Sequence, residues 1–275
     1  MKLVLWAGLL VMLTMPRSVA ATPIIFSASG PDPAAIQLTV DAFRVAIGGV
    51  NNGNAVGSLP TGRREVNWDG GGAAANATLF PTPMNTFNSG ATTRGLVSTT
   101  PGSGFEISGQ PLPEFGDINP NYPAFFTTFS SPRLFTPLGS NVMDALFFVP
   151  GTNTPASVFG FAAVFTDVDL ANTSSLEFFS LAGQSLGTFF VPTFNNGLSF
   201  IGVLFTDPIG RVRIRTGNTA VGPNDGGGVD VVVLDDFIYS EPQSAAAAAV
   251  PEPASLTLLA TGLLTVAARA RRRRG

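Results

Sequence analysis

Along residues 122–240, short apolar runs alternate with turn residues at intervals of about 8–12 positions, the rhythm of antiparallel sandwiches and barrels. Strands are predicted over 125–129, 142–149, 157–166, 174–181, 186–191, 198–206, 210–216 and 229–239. Some alternate strictly, so that Phe159, Phe161, Ala163 and Phe165 would share one face. Upstream the period changes. Ile36, Val40, Phe43 and Ile47 recur at helical spacing behind Asp32-Pro33, an N-cap followed by a proline at the first helical position. Gly48-Gly49 closes the run, which predicts one helix over 33–47. Residues 51–120 follow neither period, and strands are predicted only at 94–99 and 105–108. So long an irregular stretch is either functional or loosely ordered. The expected fold is mainly β: an antiparallel β-sandwich, jelly-roll-like, with one N-terminal helix.

The two ends carry a different pattern. Lys2 precedes an apolar run over 3–15, Pro16-Arg17 breaks it, and Ser18-Val19-Ala20 supplies the small residues of a cleavage site. This is the layout of a secretory signal peptide, with signal peptidase as the processing partner. At the other end Pro251-Glu252-Pro253 follows an alanine run. An apolar stretch over 254–268 comes next, then Arg269 and Arg271 to Arg274. As a helix that stretch reaches roughly 22 Å at about 1.5 Å per residue, against about 30 Å of bilayer hydrocarbon. It is a marginal transmembrane helix unless snorkelling arginines extend it. The arginines would stay cytoplasmic and the body would lie on the far side of the inner membrane, the topology that the signal peptide also dictates.

The order Pro-Glu-Pro, short apolar helix, terminal arginine cluster resembles the PEP-CTERM sorting signal, also known as the ice-binding protein C-terminal domain. The resemblance covers about the last 26 residues. It implies recognition of Pro251, Glu252 and Pro253 by an exosortase, a membrane protease-transpeptidase of Gram-negative bacteria that make exopolysaccharide. The apolar segment is then a transient anchor, as in other signals whose tail is removed. An ordinary tail anchor is the other reading of the same residues. The body, through segments 63–70, 166–169, 211–216 and 230–239, resembles uncharacterised PEP-CTERM surface proteins, which implies location and little else. The organisation expected is a signal peptide over 1–20, an exported body over 21–243, a linker over 244–250 and the sorting signal over 251–275.

Composition then narrows the chemistry. Between residues 21 and 250 there are eight arginines, no lysine and seventeen carboxylates, a charge near −9. That argues against nucleic acid and against polyanions held by bulk charge, and suits divalent cations. The chain has no cysteine, so no disulfide supports it outside the cell. It has no histidine, which excludes serine-histidine and cysteine-histidine catalysis and the usual zinc sites. A two-carboxylate glycosidase survives by elimination, but nothing in the spacing of Glu65, Glu106, Glu114 and Glu177 nominates a pair.

Three constellations are candidates. Asp167 and Asp169 end one predicted strand and would point to the same face. Asp235 and Asp236 interrupt the last apolar strand and would point to opposite faces. One of the latter pair, with Asp167 or Asp169 nearby, could hold a structural Ca²⁺, and pairing with arginine is the alternative. Asn67, Trp68 and Asp69 lie on a Gly-rich turn, where Trp68 reads first as a core anchor and Asn67 and Asp69 as ligand contacts. Arg211, Arg213 and Arg215 share one strand face, either paired across strands or forming a sugar- or anion-binding stripe. The expected function is a non-catalytic cell-surface or extracellular-matrix protein displayed through its tail. A carbohydrate-binding module acting on exopolysaccharide is the alternative, and a glycan-active enzyme the more remote one.

Overall fold

The computed structural model describes residues 22–223 and 227–244. The segments read above as signal peptide and sorting tail lie outside them. No helix among the described residues is long and apolar enough to cross a membrane. The body is mainly β and antiparallel, with one α-helix.

Strand β1 (Ile24–Gly30) leads into helix α1 (Pro33–Ala46). The helix begins where the sequence says it should. Asp32 is the N-cap, and its Oδ1 accepts from the Ala35 N–H at 3.0 Å. Six short strands follow: β2 (Arg63–Val66), β3 (Thr78–Phe80), β4 (Asn88–Ser89), β5 (Thr92–Thr93), β6 (Leu96–Thr99) and β7 (Gly104–Ile107). The longer elements are β8 (Phe135–Leu138), β9 (Val142–Phe147), β10 (Ala156–Val168), β11 (Ser175–Ser180) and β12 (Ser185–Phe190). They continue with β13 (Phe194–Arg215), β14 (Val233–Ser240) and β15 (Gln243–Ser244).

The 22-residue β13 organises the molecule. Its first half pairs with β1 and β10, and its second half pairs with β11 and β9. One strand thus belongs to two parts of the sheet. One part runs β1-β13-β10-β14 and continues to β2 and to β8-β7-β3. The other runs β12-β11-β13-β9-β6. The parts face each other across a common core. Phe147 of β9 lies 5.6 Å from Tyr239 of β14, ring centre to ring centre, and 6.0 Å from Phe161 of β10. Helix α1 covers the opposite face. Ile36, Val40, Phe43 and Ile47 pack there against Ala162, Val164, Phe200 and Ile238. Gly202 of β13 lets them close, because a Cβ there would meet Phe43 Cδ2 at 2.8 Å and Ala162 Cβ at 2.9 Å.

The structure departs from the sequence reading at several elements. β1 and β8 were not foreseen. The runs 198–206 and 210–216 are one strand, because Asp207-Pro208 bends β13 instead of ending it. Residues 125–129 are not a strand. They follow a 3₁₀ turn over Tyr122–Ala124, where Phe126 packs beside Tyr122 and Phe115 in a small separate core. β14 begins at Val233 and not at 229. Phe159 is 39% exposed although Phe161 and Phe165 are buried, because a register shift between Val158 and Gly160 breaks the alternation.

Candidate functional site

Beside the last turn of α1, the body opens a groove made of two adjoining clefts, of about 370 and about 440 Å³. The first is polar. Gln37 and Arg44 reach it from α1, Glu65 from β2 and Asp236 from β14, with Ser130 beside them. The second is more apolar, with half-buried Phe80 and Phe87 along one side and Thr78 and Thr92 between. Asn67 and Arg94 line both clefts.

Asn67-Trp68-Asp69 sits at the junction. Trp68 takes a left-handed backbone, φ 62°, which turns the chain out of β2. Its side chain is buried. The indole N–H donates to Asp235 O at 2.8 Å, and the ring stacks on Phe135 at 3.7 Å. Trp68 is thus the core anchor. Asp69 Oδ1 accepts from the Arg133 backbone N–H at 3.0 Å. Asn67 is exposed, and its side-chain amide makes no hydrogen bond among the described residues.

Asp235 and Asp236 correct the sequence reading. Ala163 of β10 pairs with Phe237 and Phe165 with Leu234, so two residues of β14 stand opposite Val164 alone. In that bulge the alternation fails, and both carboxyls turn to the α1 side. Ser130 Oγ lies 2.6 Å from Asp236 Oδ1 and 3.1 Å from Asp235 Oδ1, and the Phe129 N–H donates to Asp235 Oδ2 at 2.6 Å. Burial, then the Asp236 charge, push the Asp235 carboxyl well above the usual carboxylate range. Burial pushes Asp236 up to about 6, against the opposing hydrogen bond from Ser130.

Arg44 closes the cluster. Its Nε donates to Glu65 Oε1 at 2.9 Å, and its Nη2 lies 3.2 Å from Glu65 Oε2 and 3.7 Å from Asp236 Oδ2. Arg63 adds a second guanidinium on Glu65 Oε1 at 2.5 Å. Both Glu65 oxygens therefore already accept from guanidinium groups. Two carboxylates share this cleft, but each is spoken for.

Among the described residues, no group of three or more His, Cys, Asp or Glu is placed to hold a metal ion. Asp167 takes φ 66° at a register shift, so strand alternation no longer sets its direction relative to Asp169. Its Oδ1 accepts from the Asn196 N–H at 2.7 Å, while the Asp169 N–H donates to Asp230 Oδ1 at 3.1 Å. Arg211 and Arg213 do share a face, and both meet Asp144 across from β9, at 2.8 and 2.9 Å. Arg211 also stacks over Phe179 at 3.7 Å, and the shared Asp144 joins Arg211 and Arg213 in a cross-strand charge cluster. Arg215 stands exposed at the strand end.

Sequence reasoning missed Arg44, Glu65, Arg94, Ser130, Phe80 and Phe87 as groove residues. Arg94 had a signal. It is the one charged residue between Asp69 and Glu106, so no carboxylate near it in sequence could pair with it. A second miss is structural. Arg64 is fully buried and forms a bidentate pair with Glu241 at 2.7 and 2.6 Å, tying β2 to the end of the body.

The described body is thus a β-rich domain, and the chain beyond it supplies the class. Residues 249–273 match the PEP-CTERM protein-sorting motif. The chain is a PEP-CTERM sorting domain-containing protein, exported, anchored through its tail, passed to an exosortase and brought to the cell surface. No curated protein matches the chain.

Proposed function

We propose that the body is a jelly-roll-like β-sandwich that works as a non-catalytic surface module of a Gram-negative bacterium and binds exopolysaccharide in the groove. The observation that carries this reading is the make-up of the groove. Half-buried Phe80 and Phe87 offer apolar surface for sugar rings, and the Asn67 amide stands between them and the polar cleft. The non-catalytic part rests on Glu65 and Asp236. Glu65 is occupied on both oxygens by Arg44 and Arg63, so it is a poor nucleophile or base for a two-carboxylate mechanism.

Affinity electrophoresis of the exported body through gels containing purified exopolysaccharide tests the reading. Retardation is expected, and Asn67→Ala should weaken it by about threefold to tenfold, the value of one or two lost hydrogen bonds. Leu38→Ala, on the exposed side of α1, should leave it unchanged. Release of reducing ends from the polymer would instead place the protein among glycan-active enzymes. A structural calcium is a separate proposal. It would show as a melting temperature that rises in millimolar calcium and falls back with chelator.

A further inference from the structure

Resting on that reading, we infer that the groove selects an anionic sugar, and that Arg94 is the residue that receives its charge. Arg94 lines both clefts at their junction. Its Nε donates to Asn54 Oδ1 at 2.9 Å and its Nη1 to Glu65 O at 2.8 Å, which fix the guanidinium plane. Both acceptors are neutral. Nη2 donates no hydrogen bond, and no carboxylate lies within salt-bridge distance of Arg94, among the described residues. The other charged side chains of the groove have their own partners, Asp69 among them, whose Oδ1 accepts from the Arg133 backbone N–H. Arg44 spans Glu65 and Asp236, and Arg133 spends its guanidinium on the carbonyls of Ser108, Gly70 and Asn76. Arg94 is therefore a positioned cation with an open donor edge, flanked by the Phe87 ring at 5.7 Å and by the Asn67 amide. A ring stacked on Phe87 would present an equatorial carboxylate or sulfate ester to that edge.

The acidic body does not defeat this arrangement. Its repulsion acts at long range and is screened within about 8 Å at physiological ionic strength, whereas a guanidinium–anion contact acts at hydrogen-bond distance. Contact chemistry then decides the preference within a polymer already at the surface.

The test compares two pairs of polymers on the processed protein purified from an exosortase-bearing host. They are polygalacturonate against the same polymer with its carboxyls reduced to alcohols, and dextran sulfate against plain dextran. The acidic form of at least one pair should bind about tenfold more tightly than its neutral form, as one charge-assisted contact provides. The dextran pair tells a sulfate preference from a carboxylate preference. Arg94→Gln should erase the difference between acidic and neutral forms, and Arg94→Lys should restore part of it. Equal binding of acidic and neutral forms would overturn the inference and leave the glycan reading standing. So would a preference that survives Arg94→Gln. Absence of binding to every polymer would overturn both.

Discussion

Glu106 shows how one side chain can set the acid response of the body. It lies on β7, 3% exposed, and its Oε1 has no hydrogen-bond partner among the described residues. Burial, and then the charge of Asp117, push its carboxyl from the usual 4.5 up to about 7. A carboxyl whose folded pKa exceeds its unfolded value binds more protons when folded. Stability is therefore lost as pH rises from about 4.5 to about 7. Asp236 acts with the same sign up to about 6. Urea midpoints of the parent and of Glu106→Gln, measured from pH 4.5 to 7.5, should converge at the acid end and separate at the neutral end, with the variant the more stable. A slope between pH 6 and 7 that persists in Glu106→Gln would show that another group carries it.

At the scale of elements, α1 depends on one missing side chain beneath it. The helix packs Phe43 directly over Gly202 of β13, and an alanine there must displace either Phe43 or β10. Gly202→Ala should cost about 1–3 kcal/mol by overpacking. It should also loosen Arg44, measured as faster amide exchange in α1 than in β11 or β12. Equal exchange across these elements would mean that the helix is held by its charge cluster and not by its apolar face. The helix was legible in the sequence because its signals are local: a cap, a proline and a 3.6-residue period. Most later strands were legible too, because their pattern follows their own burial. β1 was not, because Ile24 and Ile25 are exposed and its pairing to β13 is tertiary. Nor could the sequence place Asp235 beside Asp236, since β10 sets that bulge from about seventy positions away. The groove escaped for the same reason. Its residues run from Gln37 to Asp236 and meet only through the sheet, and of the groove the 67–69 turn and Asp236 stood out in the sequence without showing that they share a cleft.

For the whole molecule, the sorting motif and the body divide the work. The motif over 249–273 lies past the last described strand, so its removal should leave the fold intact. Mass spectrometry of protein recovered from the surface of an exosortase host should find body peptides and none from 256–268, with the body's melting temperature unchanged by the loss. Intact tail on surface protein would leave an ordinary membrane anchor. The path from body to tail has a mechanical side. β14 leads straight to Glu241, which Arg64 of β2 grips with two hydrogen bonds, and β15 then pairs with the start of β10. Glu65 and Asp236, at the groove, stand on these same two strands. A polymer held in the groove and an attachment holding the chain end would put tension across β2 and β14. The β11-β12 hairpin lies off that path, so flow over the cell surface would be resisted by β2, β14 and the elements bonded to them.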